Sequence, residues 1–124
     1  MRRRAWATAR RRWRLGDDRG SVAAELAVAL PAALVAIALG VGALSAAAIQ
    51  VSLQDAAADS ARLLGRGESP ARAAGAVRDA VDGASSASST AGDLVCVTAS
   101  LDMRIGRLVS VPLRASSCAL AGGL

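Results

Sequence analysis

The chain has 124 residues and a formal net charge of +5, and 53% of its residues are hydrophobic but only 2% are aromatic. It contains no His and no Lys, which excludes histidine general bases, histidine metal ligands, lysine Schiff bases and the P-loop lysine. We therefore expect no enzyme activity, no metal or cofactor and no small-molecule substrate, because no base is present to activate a serine.

The positive charge lies at the N-terminus. Eight arginines and two aspartates precede Gly20, whereas the seven later arginines are set against eight acidic residues. Arginines beside a membrane segment stay in the cytoplasm, so this tail predicts an internal N-terminus and an exported C-terminal part. Trp6 and Trp13 interleave with the arginines, which would also suit a nucleic-acid site. We favour the topological role, with no nucleic-acid partner, because a membrane-length segment follows directly and no folded nucleic-acid-binding module does.

A long apolar segment comes next. No charged residue lies between Leu26 and Ile49, and as a helix these 24 residues would measure about 36 Å, against about 30 Å for a hydrocarbon core. We therefore predict a transmembrane helix in contact with lipid, with Glu25 as the one acid at its start. Pro31 is expected to kink this helix, because proline lacks the amide donor and clashes with the carbonyl group of Ala27.

The helix is predicted to continue beyond the membrane as an amphipathic segment and to reach about 40 residues in all. Gly65 and Gly67 are expected to end it. Asp59 and Arg62 are three residues apart and can form a surface ion pair. The polar positions are Gln50, Gln54, Asp55 and Asp59, and the apolar positions are Val51, Ala58, Ala61 and Leu64.

A second, short helix is predicted after Ser69-Pro70, a pair typical of an N-cap followed by proline at the first helical position. Gly83 is expected to end this part of the chain. The segment Ala84 to Gly92 is rich in Ser and Ala without periodicity, which predicts a loop. The apolar face of the short helix is expected to comprise Ala73, Val77, Ala80 and Val81.

Two antiparallel strands are predicted at Leu94–Leu101 and Leu108–Ala115, joined around Asp102 to Arg107. Pro112 places the second strand at an edge of the sheet, because proline cannot donate to a central ladder. The last residues, Cys118 to Leu124, are expected to trail off without structure. The predicted fold class is therefore α+β, with a long membrane helix, a short helix and a small β-hairpin head.

Cys96 and Cys118 are the only cysteines, and both fall in the part expected to be exported. An intramolecular disulfide, two unrelated buried thiols and an intermolecular bridge are the alternatives. The intramolecular bridge is favoured, because closing a loop of about 23 residues stabilises a small fold by about 3 kcal/mol. One point opposes it: a hairpin centred near Arg104-Ile105 would leave Cys118 beyond the partner of Cys96. Two cysteines without histidine are too few for a zinc site.

The residues from Gly20 to Ala27, GSVAAELA, resemble the processing site of type IV prepilins. The basic leader, the glycine before the cut and the glutamate at the fifth mature position all match. The continuation Ala29-Leu30-Pro31 and the polar helix Gln50–Leu64 resemble TadE-like minor pilins of the tight-adherence (Tad) system of actinobacteria. The resemblance covers about Arg19 to Gly67, and it departs from the family at Leu26, where many members have an aromatic residue.

This resemblance implies that a membrane aspartyl prepilin peptidase cuts between Gly20 and Ser21, and that the chain is its substrate. The other implied partners are further pilins or pseudopilins and the Tad membrane platform. The new α-amine of Ser21 and the Glu25 carboxylate would then lie four residues apart on one helix face, where pairing offsets the cost of a charge near lipid. The alternative is that Glu25 is an interfacial acid in the first turn, stabilised by the helix dipole.

The favoured hypothesis is therefore a TadE-like minor pilin of a Tad pilus or of its assembly base. The alternative is an uncleaved single-pass anchor that displays a small envelope domain. A secreted protein cut near Ala46-Ala47-Ala48 ranks lower, because the apolar segment is too long for a signal sequence. The predicted division is a basic leader (1–20), a transmembrane helix (21–53), its extension (54–67), a short helix (68–83), a Ser/Ala linker (84–93) and a β-rich head (94–124).

Overall fold

The computed structural model describes residues 18–122 and contains two helices followed by three strands. The basic leader before Asp18 therefore lies outside the described residues. A boundary between Ala38 and Leu39, inside the first helix, divides the chain into two units. The predicted α+β class is confirmed. The elements are α1 (Asp18–Gly65), α2 (Pro70–Ala80), β1 (Ser85–Ala91), β2 (Leu94–Ile105) and β3 (Val109–Leu120).

In the first unit, the described structure is the N-terminal part of α1. Every residue from Gly20 to Ala38 is exposed, including the large apolar side chains of Leu26, Leu34 and Ile37. Pro31 lies inside this helix, as predicted, and helical structure continues on both sides of it. Among the described residues, α1 is the one helix long and apolar enough to cross a membrane, and near the N-terminus it fits a single-pass membrane anchor.

In the second unit, α1 buries one face. Leu53, Ala56 and Ala57 are almost completely buried, and Ser60 and Ala61 follow one turn later. The face predicted from the sequence was partly wrong, because Val51 is 62% exposed. Val51 lies two residues before Leu53, about 200° around the helix, so the two side chains cannot share a face. A helix apolar on several sides leaves the choice of buried face to its tertiary neighbours.

Gly65 and Gly67 end α1 as predicted. Gly67 has a φ of +83°, and its N–H donates to the carbonyl oxygen of Leu64 at 2.9 Å. The N–H of Glu68 donates to the carbonyl oxygen of Leu63 at 3.0 Å. These two bonds form a Schellman motif, which satisfies carbonyl groups that the helix end leaves without partners. The predicted Asp59–Arg62 ion pair is also present, at 2.9 Å and well exposed.

The short helix α2 begins as predicted. The Ser69 side chain accepts a hydrogen bond from the N–H of Arg72 at 3.3 Å, and Pro70 takes the first helical position. Ala73 and Val77 are buried, and Val81, just after the helix, is 8% exposed. Ala80 was predicted on the same face but is exposed; it is the last residue of α2, and the chain turns to an extended conformation at Val81.

The segment predicted as a loop, 84–92, instead contains strand β1, so that prediction was wrong. β1 pairs antiparallel with β2, from Ser85 opposite Ser100 to Ala91 opposite Leu94. The turn between the strands uses Gly92, whose φ is +61°. Most side chains of β1 are exposed, so its sequence SSASSTA carries no hydrophobic alternation. The neighbouring strand, and not local β propensity, makes this segment extended.

The three strands form an antiparallel sheet in the order β1-β2-β3, so the head contains more than the predicted hairpin. Both strands of the β2–β3 hairpin are longer than predicted, and the segment after Cys118 pairs as far as Leu120 instead of trailing off. The hairpin is centred on Arg107, because Ile105 pairs with Val109 and Gly106 takes a φ of +64°.

Pro112 lies in β3 at an edge of the sheet, as predicted. The Cα atoms of Cys96 and Cys118 are 4.0 Å apart, a separation typical of a pair that does not exchange ladder hydrogen bonds. Pro112 precedes Cys118 by an even number of residues and so belongs to the same alternating set. Its missing N–H therefore removes no bond to β2.

The core of the second unit lies between α1, α2 and one face of the sheet. Side chains of α1 also bind the outer edge of β3: Gln50 Nε2 donates to the carbonyl oxygen of Arg114 at 2.6 Å, and Gln54 Nε2 to that of Ser116 at 3.2 Å. This covers a strand edge that would otherwise be free to pair with another chain. The core residues are Leu53, Ala56, Ala57, Val77, Val81, Ala84, Ala99 and Ala115, with Ile49, Leu101 and Leu113 packed against them.

We expect Gly65→Ala to lower the free energy of unfolding of this unit by about 1–3 kcal/mol. A Cβ atom at Gly65 would lie 2.7 Å from the backbone carbonyl oxygen of Leu120. The Gly65 carbonyl oxygen also accepts a hydrogen bond from the N–H of Gly122 at 2.8 Å, so the two backbones cannot separate freely. Amide hydrogen exchange of the full chain in detergent micelles measures the change.

Gly75→Ala is the control for this variant. A Cβ atom at Gly75 would meet only the end of the Arg78 side chain, at 3.9 Å, inside a regular helix. This change should stabilise α2 by about 0.5–1 kcal/mol, because alanine is the better helix former. Equal shifts in the two variants would contradict the close approach of Gly65 to β3.

Candidate processing and assembly site

The residues of the predicted processing site lie on the first two turns of α1. Because α1 begins at Asp18, both Gly20 and Ser21 are helical, and the bond between them is not in a loop. Ser21 and Glu25 are four residues apart and therefore share one face of the helix. All three residues are exposed. A peptidase could thus reach this bond, but it would have to unwind the first turn to cut it.

Nothing in the described part of the chain packs so closely on Gly20 that glycine is required there. A Cβ atom built there meets no atom within 4 Å, and its φ lies in the ordinary helical region. Glycine in a helix interior costs about 0.5–1 kcal/mol relative to alanine. The described fold would therefore accommodate alanine at this position.

Glu25 is the one acid between Gly20 and Ile49. Within residues 20–122, the ion pairs join Arg62 to Asp59 and Arg72 to Glu68, and Glu25 belongs to neither. The dipole of α1 also stabilises the Glu25 carboxylate little. That effect is confined to the first turn of a helix, and α1 starts at Asp18, seven residues earlier. The dipole interpretation of Glu25 therefore applies only to a chain shortened to Ser21.

Cys96 and Cys118 form a disulfide, so the favoured of the three predicted alternatives is confirmed. The two residues lie directly opposite each other on β2 and β3. The objection raised by the sequence was wrong, because it centred the hairpin near Arg104-Ile105. With the centre at Arg107, Cys118 faces Cys96 across the ladder and the chain need not fold back.

The described part of the second unit contains small clefts. A cleft of about 170 Å³ between the helices and the sheet includes the hydroxyl groups of Ser60, Ser86 and Ser88 in its lining. Ser60 Oγ donates to the carbonyl oxygen of Ala73 at 2.9 Å and is buried. No group of three or more Cys, Asp and Glu side chains in the described part of the chain is placed to hold a metal ion.

The β2–β3 turn carries a feature that sequence analysis missed. Leu108 is 97% exposed, and Ile105 and Val109 are about half exposed. The sequence suggested that Leu108 and Val109 begin a strand with one buried face, so no surface patch was predicted there. The sequence did contain a signal for this patch. Turns are usually polar, whereas the turn between Ile105 and Val109 contains Leu108.

No protein-family model, no curated protein and no solved structure matches this chain.

Proposed function

We propose that this chain is a TadE-like minor pilin, a structural subunit of a Tad pilus or of its assembly base. In this proposal the N-terminus is cytoplasmic, α1 crosses the membrane, and the disulfide-bonded unit lies outside. A prepilin peptidase removes the leader after Gly20, and the shortened chain assembles with other pilins or pseudopilins on the Tad membrane platform.

One observation carries the proposal. A helix of 48 residues begins beside an arginine-rich tail, exposes its apolar surface along the whole described first unit, and bears Glu25 as the one acid between Gly20 and Ile49. Such a surface needs lipid or other apolar helices around it. The disulfide supports an exported head, because disulfides persist in oxidising surroundings outside the cytoplasm.

Glu25 has a specific role in this proposal. Cleavage would place a new α-amine on Ser21, four residues from the Glu25 carboxylate and on the same face of α1. A charge within lipid costs about 2.5–3.5 kcal/mol on insertion scales, and less near the interface. Pairing with the amine of the same or a neighbouring subunit would offset this cost and favour one register between helices.

An uncleaved single-pass anchor is the second candidate. The helical state of the Gly20–Ser21 bond favours it, because the Gly20 carbonyl group lies within the hydrogen-bonded ladder of α1 and a peptidase must break that ladder first. Both candidates share the membrane span and the exported unit, so they differ only in the fate of the leader.

Mass-spectrometric mapping of the N-terminus separates the two, using the full chain expressed with a Tad prepilin peptidase. The minor pilin begins at Ser21, whereas the anchor retains Met1. Gly20→Ala should leave a heavier, uncleaved species, although the substitution has room in the fold. Gly42→Ala is the matched control, because this residue of α1 also has open space, and it should be processed normally.

Processing of Gly20→Ala at the wild-type rate would contradict the cleavage assignment. In the same experiment, Glu25→Ala should insert and be cleaved but should enter pili poorly, whereas Glu68→Ala, an acid outside the apolar segment, should assemble normally. Wild-type incorporation of Glu25→Ala would remove the argument for charge pairing.

A further inference from the structure

The end of the β2–β3 hairpin, residues 104–109, is exposed and carries three apolar side chains, and we call it the hairpin tip. Leu108 is 97% exposed, Val109 is 53% exposed and Ile105 is 43% exposed. The tip also carries Arg104 and Arg107, which take no part in the ion pairs of the described residues. Three apolar side chains beside two unpaired cations are unusual at a turn in water.

The tip continues the apolar face of the sheet beyond the core. Ala99 and Ala115 are a buried cross-strand pair, and Leu101 and Leu113, the next pair on that face, are partly buried. The face ends with Ile105 opposite Val109, where both side chains are exposed. The apolar alternation therefore continues beyond the residues that the core covers. Ile105 and Val109 are left exposed, which favours contact with another apolar surface.

The tip points along α1 towards its apolar part. The side chain of Gln50 reaches Arg114, and at the other end Gly65 lies beside Leu120, so β3 and this part of α1 run in the same direction. The hairpin turn precedes β3 and must therefore lie on the side of the residues before Gln50. In that direction α1 exposes Leu44, Val41 and Leu39, and Gly42 and Ala46 are partly buried on the face of Ile49.

The distances place the tip at the level of the outer membrane–water interface. Val109 precedes Arg114 by five residues, or about 16 Å of strand, which equals about 11 helical residues. The tip thus reaches about the level of Leu39 to Val41. About 20 apolar residues suffice to cross the hydrocarbon, so within the charge-free run from Leu26 to Ile49 the shortest span that begins at Leu26 ends near Ser45, about 7 Å beyond that level. This matches the depth of about 5–10 Å at which apolar surfaces settle into the headgroup–acyl boundary.

We propose that the hairpin tip is a second membrane contact, which inserts into the outer leaflet of a bilayer rich in anionic phospholipid. Ile105, Leu108 and Val109 enter the headgroup–acyl boundary, and Arg104 and Arg107 bind lipid phosphates while their aliphatic stems lie among the chains. The free backbone groups of the turn keep the tip at the interface and out of the hydrocarbon. This inference rests on the proposed membrane span of α1.

The contact would restrain the exported unit at two points, α1 and the tip. A subunit held in this way leaves the bilayer only when the tip is released. Release of the tip would therefore be a step in the incorporation of the subunit into a pilus.

Depth-dependent quenching of a label on the tip tests the proposal. The full chain carries Leu108→Cys, labelled with an environment-sensitive fluorophore while the native disulfide stays oxidised. It is reconstituted into vesicles of phosphatidylcholine with phosphatidylglycerol, with or without brominated acyl chains. The matched control is Ala91→Cys, an exposed position at the opposite end of the sheet. We expect a blue-shifted emission that brominated lipid quenches at position 108, and neither effect at position 91.

A second comparison tests the proposed contact of Arg104 and Arg107 with lipid phosphates. Arg104→Gln with Arg107→Gln should reduce the blue shift and the quenching in vesicles with phosphatidylglycerol. In phosphatidylcholine alone, wild type and the double variant should behave alike. Equal quenching of both proteins in anionic vesicles would overturn the contact with lipid phosphates.

Resistance to alkaline carbonate extraction, measured on the same samples, separates this inference from the proposed function. If the chain resists extraction but the label at 108 is as water-exposed as the label at 91, the tip contact is wrong and the membrane span stands. If carbonate releases the chain, both proposals fail.

Discussion

Leu53→Ala should lower the free energy of unfolding of the second unit by about 3 kcal/mol, within a range of about 2–5 kcal/mol. Leu53 is 0% exposed and is among the largest fully buried side chains of the described structure. Its neighbours in the core are mainly alanines, with Val77 and Val81 the larger members. Alanines have no side-chain freedom with which to refill a cavity, so we expect most of the cavity to persist.

This loss is large for so small a unit, because whole domains are stable by only about 5–15 kcal/mol. The only aromatic residues, Trp6 and Trp13, lie in the tail, so fluorescence does not report on this core. The measurement is the urea dependence of amide hydrogen exchange, read by mass spectrometry on peptides of α2 and β2 from the full chain in detergent.

Val51→Ala is the matched control. Val51 lies on the same helix two residues away but is 62% exposed, and its truncation should change stability by less than about 0.5 kcal/mol. The pair also tests whether α1 buries the face that carries Leu53 and exposes the face that carries Val51. If Val51→Ala proved as damaging as Leu53→Ala, the buried face of α1 would be wrong.

Removing the disulfide should have a similar effect. Replacing both Cys96 and Cys118 by serine frees a loop whose ends are 22 residues apart, which should cost about 3 kcal/mol. Since about 1.4 kcal/mol corresponds to a factor of ten, opening of the β2–β3 hairpin should become about 100-fold more frequent. Hydrogen exchange of β2 and β3 amides in the oxidised wild type and the double variant measures this ratio.

The neighbouring cross-strand pair provides the control. Thr98 and Ser116 face each other two pairs along the ladder, on the same face of the sheet as the cysteines, and their hydroxyl groups are 3.0 Å apart. Replacing both by alanine removes this hydrogen bond and the one that Ser116 Oγ donates to the carbonyl oxygen of Val97 at 3.3 Å, but no covalent link, so the loss should be about 1–2 kcal/mol. Equal exchange rates in the two double variants would show that the disulfide adds no more than an ordinary cross-strand contact. Alkylation of wild type without reductant would contradict the bridge directly.

Several elements could be predicted from the sequence because their signals are local. The charge-free run after Leu26 identifies α1, Ser69-Pro70 begins α2, Gly67 completes the end of α1, and Pro112 belongs to an edge strand. Each signal depends on residues within one or two turns, so neighbours in sequence suffice to read it. The candidate processing site is of the same kind, since Gly20, Ser21 and Glu25 lie within two turns of one helix.

Other elements could not be predicted, because they depend on distant partners. Strand β1 is Ser-rich and mostly exposed, so only its pairing with β2 makes it extended. The predicted hairpin register was wrong because the apolar residues beside the turn, such as Ile105 and Val109, are exposed, so the sequence near the turn shows no clear division into a buried and an exposed face. That register alone decides whether Cys118 faces Cys96.

By itself, the sequence therefore determined the α+β class, the long apolar helix and its C-terminal end, and it supplied the residues of the candidate processing site, whereas the start of α1 at Asp18, within the predicted leader, was not predicted. Only the tertiary structure decided which face of α1 is buried, that Ser85–Ala91 forms a strand, how the cysteines meet and where the apolar hairpin tip lies. The physical reason is range: capping and hydrophobic length act between neighbours along the chain, whereas strand register and helix facing depend on contacts between residues far apart in sequence.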